Sequence, residues 1–194
     1  MSRVSAPWPP VDVEPPAVHP KAPAPGTALG IHYDECFGCG DGIDAGLHLR
    51  SRIGESRTVY SEFVVTAAHQ GAPGLAHGGL LACAFDEALG SAVGNLLRRP
   101  AVTGKLETDF RRPVPVGSTL FIEARLDGTA GRKIYASADG RLDAPDGPVA
   151  VSARALFVAV PVEHFSTHGD PAALKKLADA AKKTERAAEW EINP

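Results

Sequence analysis

One acid pair sits in the middle of an otherwise apolar run. The stretch from Gly71 to Leu97 reads GAPGLAHGGLLACAFDEALGSAVGNLL, and Asp86 and Glu87 are its acidic residues. An ionised carboxylate in apolar surroundings is costly unless it has partners. Asp86 therefore has two readings. It is satisfied at a subunit boundary, or it is a general base or nucleophile whose pKa is tuned by partial burial. The catalytic reading is favoured. Glu87, about 100° further around a helix, is expected to border the substrate as a solvated or structural neighbour, not as a second catalytic carboxylate.

The other reactive feature is backbone. Gly78 and Gly79 stand where the helix would begin, so their N–H groups lack internal acceptors and lie at the positive end of the dipole. Glycine lets a carbonyl oxygen approach without meeting a Cβ. That combination suits an oxyanion site, with Gly79 as a substrate-binding neighbour. His77 either orients a substrate or caps the loop.

These two features cannot serve one reacting group within one chain. Gly78 and Asp86 are about 12 Å apart along a helix axis, and His77 and Asp86 differ by about two and a half turns. A site using both must combine two copies of the helix.

The elements that position them are legible from periodicity. Large residues Leu80, Leu81, Phe85, Leu89, Val93, Leu96 and Leu97 alternate with a stripe of Gly79, Ala82, Cys83, Asp86, Gly90, Ser91 and Gly94. Such a stripe runs down one helix face. Glycine inside a helix costs about 1 kcal/mol against alanine, so Gly90 and Gly94 imply close packing or a thin ligand alongside. Strands are expected at 47–52, 58–65, 105–111 and 149–160, with inward faces also at Leu120, Ile122, Ala124 and Leu126 and at Ile134, Ala136 and Ala138. Asp127-Gly128 and Asp139-Gly140 read as the turns between them. The simplest architecture is α+β, an antiparallel sheet curved around one long helix.

Residues 1–30 are rich in proline and poor in large apolar residues, and read as a disordered or draped arm, with packing through Trp8 as the alternative. The folded domain is expected over 31–168. Asp170-Pro171 looks like an N-cap and first helical position, opening an exposed C-terminal helix over 169–194. Cys36 and Cys39 form a C-x-x-C, but zinc needs four ligands and no second C-x-x-C follows. His32 and His48 leave a mixed site as a minor alternative. The favoured reading is a turn of small residues, with no metal and no cofactor.

A formal net charge of −3 and a pI of about 6.2 leave no electrostatic footprint for nucleic acid or an anionic membrane. The acid pair, Asn95 and the internal glycines argue against a bilayer span. Three cysteines and no signal-like apolar core lead to a cytoplasmic expectation.

His77-Gly78-Gly79 followed after six residues by Asp86, the CFGCG…GLHL segment (Cys36–Leu49) and Thr103…Phe110-x-x-Pro113 together resemble the hotdog-fold acyl-thioesterases of the H-G-G-x6-D type, such as those of phenylacetate pathways. The resemblance covers roughly residues 36–165. It implies a hotdog fold and a homodimer or dimer of dimers with sites at the interface. It also implies that an acyl-CoA or related thioester is substrate, that Gly78 of one chain binds the thioester oxygen, and that Asp86 of the other activates water or attacks. Thr103 matches a hydroxyl position beside that carboxylate. Several members place Asn six residues before the histidine, where this chain has Gly71; Gln70 is the neighbour that would take its place at the substrate. The alternative function is a hotdog module that binds acyl thioesters or another apolar ligand without turnover. A hydratase or dehydratase is disfavoured, because the helix lacks a matching His/Asp or His/Glu dyad.

Overall fold

A computed structural model describes residues 7–176 of the chain. Two short strands come first, β1 (Arg50–Ile53) and β2 (Thr58–Val64). A single 3-10 turn, Ala67–His69, leads into a small hairpin of β3 (Gln70–Ala72) and β4 (Leu75–Ala76). Helix α1 (Gly78–Leu97) follows, then β5 (Ala101–Phe110), β6 (Thr119–Ala130), β7 (Lys133–Leu142), β8 (Val149–Ala159) and a short α2 (Glu163–His168). The six long-range strands form one antiparallel sheet in the order β1-β2-β6-β7-β8-β5. Helix α1 packs on one face of the sheet and touches β6, β5, β2, β7 and β8. This is the hotdog arrangement expected from the sequence.

Alternation explains the core. Val59 and Phe63 of β2, Leu120, Ile122, Ala124 and Leu126 of β6, Ile134, Ala136 and Ala138 of β7, and Val151, Ala153, Ala155 and Phe157 of β8 are all buried. They meet Leu81, Phe85, Leu89, Val93, Leu96 and Leu97 of α1 in one cluster. By length and composition α1 could cross a bilayer. Its apolarity is spent on the sheet instead: full burial of a side chain such as Phe85 contributes about 1.5–3 kcal/mol. The helix ends at Arg98, in the left-handed region with its N–H donated to the Gly94 carbonyl, just before Pro100.

Both Asp-Gly pairs read as turns lie inside strands. At Asp127-Gly128 the register of β6 shifts in a bulge. Asp127 accepts from Trp8 Nε1–H at 2.8 Å and from Ser137 at 2.9 Å, and a Cβ on Gly128 would strike the Val13 side chain. At Asp139-Gly140, within β7, a Cβ on Gly140 would stand 2.7 Å from the Phe85 ring. Each glycine marks a close approach, by the N-terminal arm in one case and the helix in the other. The residues just before α1 form the β3–β4 hairpin.

Residues 7–29 run along the domain. Beyond the Trp8 contact, whose ring also meets Tyr135 edge-on, Glu14 bridges Thr129, His19 N–H reaches the Leu96 carbonyl and Ala28 bridges Arg52. At the other end, Asp170 accepts from Ala172 N–H at 2.8 Å and residues 171–176 are helical. The rest of the expected C-terminal helix, 177–194, lies outside the described residues.

Candidate active site

Asp86 is held by a hydroxyl. Thr103 Oγ1 donates to Asp86 Oδ1 at 2.8 Å. Simple alternation would not place Thr103 there, because it shares parity with the outward residues Lys105, Glu107 and Asp109. A β-bulge makes the difference. Between Thr103 and Lys105 the pairing with β8 slips by one, so Thr103 opposes Phe157 and Leu106 opposes Ala155. Both therefore sit on the helix side, with Gly104 as the extra residue. Bulges commonly re-aim a side chain in this way. A Cβ on Gly104 would stand 3.2 Å from Val158 Cγ2 and 3.3 Å from the Leu156 carbonyl oxygen, so the bulge favours glycine.

Asp86 is half-buried, and its pKa is shifted upward. Burial is the larger cause, the Thr103 hydrogen bond opposes it, and the charge of Glu87 adds to the rise. The carboxylate opens onto a cavity of about 170 Å³, whose lining includes Gly90, Gly94, Leu49, Ala101 and Phe157. The part of the small-residue stripe from Asp86 to Gly94 is thus a wall of this cavity. A Cβ on Gly90 would meet the Phe157 ring at an ordinary 3.8 Å. Gly90→Ala is therefore expected to stabilise the fold by about 1 kcal/mol while narrowing the groove beside Asp86. Urea unfolding, paired with activity against acyl chains of increasing size, checks both effects. Cys83, one turn before Glu87, is pushed up to about 11 by burial and by the nearby carboxylates, so it remains a thiol.

The helix N-terminus lies elsewhere. His77 is the N-cap: its Nδ1 accepts from Gly79 N–H at 2.9 Å. Of the two readings for His77, the structure displays the cap. It also engages the Gly79 N–H. Gly78, the first helical residue, has no acceptor within the helix for its own N–H, and a Cβ there would meet the exposed Phe110 ring at 3.5 Å. The hairpin that carries this tip is anchored to the segment after β5. Ala76 N–H donates to the Val114 carbonyl and Val116 N–H to that of Gly74, while His77 N–H donates to the His69 carbonyl at the base of the hairpin itself. His69, which the sequence reading did not single out, is buried between Thr66 and the Gly46 carbonyl and supports this hairpin.

Gly71 and Gln70 have structural explanations. A Cβ on Gly71 would come within 2.8 Å of His77 Cα, so the hairpin closes too tightly for Asn at this position. Gln70 is exposed and its Oε1 accepts from Gly74 N–H at 2.7 Å, bracing the turn. Glu87 points away from Thr103, towards His32, Cys36 and Cys39. In that cluster His32 is held up at about 10, chiefly through Cys36 and then Glu87, against burial. Cys36 is brought down to about 3 by its hydrogen bond to Cys39, with help from His32, and Cys39 is pushed up by Cys36 and by burial.

The fold is similar to that of known proteins. Residues 73–145 match the family model of the thioesterase superfamily. Among named relatives, the chain is 38% identical over 98 residues to the acyl-coenzyme A thioesterase THEM4 of Bos taurus, a match covering 50% of this chain and 39% of that protein. It thus spans about two fifths of the length of this curated relative. A crystal structure described as a thioesterase superfamily protein is 33% identical, with a TM-score of 0.51, over 57% of this chain and 53% of that one. The PaaI protein of the E. coli phenylacetic acid degradation operon shares the fold at 19% identity, with a TM-score of 0.54, over 59% of this chain and 81% of its own.

Proposed function

We propose that the chain hydrolyses acyl thioesters, with acyl-CoA as the substrate class, at sites shared between two copies. The observation that carries this reading is the separation of the two reactive features along one edge strand. Strand β5 is ten residues long, lies at the edge of the sheet and is largely exposed. Asp86 is fastened near its start, at Thr103, and the Gly78 tip lies near its end, at Phe110. These positions are about 23 Å apart along a strand. A long exposed edge favours pairing with another strand. Antiparallel pairing of two β5 strands about a two-fold axis at Glu107, with Gly104 again the extra residue of the bulge, sets Thr103 opposite Phe110 of the partner subunit. Asp86 of one chain then faces the helix tip of the other, and two such sites form per dimer.

The chemistry follows from those groups. Asp86, as carboxylate, takes a proton from water while the water oxygen attacks the thioester carbonyl carbon. The developing oxyanion accepts from Gly78 N–H of the partner subunit, supported by the α1 dipole. Collapse of the tetrahedral intermediate breaks the C–S bond. The thiolate leaves and takes up the proton carried by Asp86, so thioester and water give acid and thiol. The relation to THEM4 supports acyl-CoA as the thioester, and the cavity beside Gly90 supports an acyl chain lying along α1.

Thiol release from a panel of acyl-CoAs of graded chain length tests the proposal. Turnover of at least one chain length is expected. Measurable binding with no thiol released from any of them would replace it with a binding module. The pH profile adds a finer check. Asp86 must be ionised to act, so the acid limb of kcat/KM is expected above the ordinary carboxylate range. Thr103→Val removes the contact that favours the charged form, so the limb should move to higher pH and the plateau rate fall about 10-fold. A limb that stays in place would detach Thr103 from the titration.

A further inference from the structure

Helix α1 carries a second cluster, one residue on from Asp86. His32, Cys36, Cys39 and Glu87 each turn one ligand atom inward, and these four atoms lie within 4.8 Å of one another. From these positions we infer a tetrahedral zinc site formed by His32, Cys36, Cys39 and Glu87, tying the segment before β1 to the middle of α1. Three of these residues, His32, Cys39 and Glu87, also line the cavity onto which Asp86 opens, but the site does not depend on thioester chemistry.

Three of the spacings lie close to what the ion requires. Tetrahedral zinc, at about 2.3 Å from sulfur and about 2.0–2.2 Å from nitrogen or oxygen, sets neighbouring ligands about 3.3–3.8 Å apart. His32 Nδ1 lies 3.1 Å from Cys39 Sγ and 3.4 Å from Glu87 Oε1, and Cys36 Sγ lies 3.5 Å from Glu87 Oε2. Among the described residues this is the one group of three or more such ligands drawn together in this way. Its residue types, two thiols, an imidazole and a carboxylate, are those zinc takes.

The backbone is shaped around the cluster. Gly38 N–H points at Cys36 Sγ, 3.3 Å away, a donor that favours thiolate. Gly40 N–H closes the turn onto the Cys36 carbonyl. A Cβ on Gly38 would collide with the Glu87 carboxylate, and one on Gly40 with the Asp34 carbonyl. The two glycines of Cys36-Phe37-Gly38-Cys39-Gly40 thus let the turn fold tightly and admit the carboxylate. The turn is clamped to the domain by Leu47 N–H on the Phe37 carbonyl and Leu49 N–H on that of Gly38. A Cys-x-x-Cys turn supplies two ligands. The third comes from four residues upstream of Cys36 and the fourth from a helix residue 51 positions beyond it, which is why the sequence alone shows only half a site. Four protein ligands leave no open position, so the site is structural. Its effect on the neighbouring chemistry is positional, holding the face of α1 that also presents Asp86.

The test uses the 194-residue chain, reduced, stripped with chelator and titrated with Co²⁺. Uptake of about one equivalent per chain is expected, with the intense visible bands of tetrahedral cobalt and thiolate charge-transfer absorption, both lost on adding Zn²⁺. Zn²⁺ should also raise the thermal midpoint. Cys36→Ser and Cys39→Ser should each abolish the charge-transfer signature or weaken it sharply. Glu87→Gln should keep thiolate absorption with affinity reduced more than about 100-fold, since even outer partners of a metal site cost 10- to 100-fold. Absence of tetrahedral cobalt bands in the reduced wild-type chain would overturn the inference. So would undiminished uptake by a chain lacking both cysteines, or a Cys36–Cys39 disulfide that, once reduced, still takes up no metal.

Discussion

Asp86→Asn is expected to lower thioester hydrolysis by about 10²–10⁴-fold, the usual contribution of a positioned general base, while leaving the fold intact. The substitution keeps the shape of the side chain and an oxygen that can accept from Thr103 Oγ1. What it removes is the negative charge that receives the proton from water. Stability should move the other way, if at all. The pKa of Asp86 is raised in the folded chain, first by burial. A group raised in this way contributes stability at low pH and loses that contribution as pH climbs through its folded-state pKa. At neutral pH the wild-type chain therefore carries an ionised carboxylate in a site that disfavours it. Asparagine does not titrate. The variant should unfold at the same or a higher temperature at pH 7, and its advantage should shrink on acidification through the carboxylate range. Turnover at the wild-type rate would remove Asp86 from the chemistry. A collapse in thermal midpoint at pH 7 would instead make it a structural residue.

Gly78→Pro is expected to lower kcat by about 10²–10³-fold, the cost of losing one oxyanion donor, and to do so without breaking α1. Proline removes the one N–H that the helix leaves without an acceptor, and the first helical position is where proline is best tolerated. The residue before it must be extended, and His77 already is, at φ −72° and ψ 129°. The Phe110 ring lies at ordinary contact distance from the new Cβ. The stronger result comes from mixing. Each site is proposed to take Asp86 from one subunit and Gly78 from the other. A mixed dimer of Asp86→Asn and Gly78→Pro chains would then hold one doubly damaged site and one intact site. After random subunit exchange, activity should recover to about one quarter of the wild-type value, since half the dimers are mixed and each regains one of two sites. Two inactive preparations that stay inactive together, with exchange shown by labelled subunits, would place both groups in one chain and end the shared-site reading.

Much of this was legible beforehand because it rests on local periodicity and on rigid helix geometry. Alternation along Leu120–Leu126 and Val151–Phe157 marked the inner face of the sheet, and the spacing of Leu81, Phe85, Leu89 and Val93 marked the helix. Helical rise alone separates Gly78 from Asp86, whatever the remainder of the chain does. The misreadings share a cause. Asp127-Gly128 and Asp139-Gly140 carry turn chemistry, but their glycines answer to Val13 and Phe85, residues remote in sequence. The missing Cβ makes room for a neighbour as readily as it permits a turn.

What tertiary structure decided is where side chains arrive once the register slips. The Gly104 bulge sets Thr103 on the helix side, where its hydroxyl meets Asp86. A one-residue shift reverses every following side chain, and a sequence pattern with period two has no mark for it. In the same way, Glu87 joins His32, Cys36 and Cys39 only because the turn of small residues folds back onto α1. The sequence by itself determined which elements form and that the helix tip and Asp86 cannot converge within one chain, since both follow from short-range geometry. Which carboxylate faces the hydroxyl and which faces the thiols was settled by packing between segments far apart in the chain.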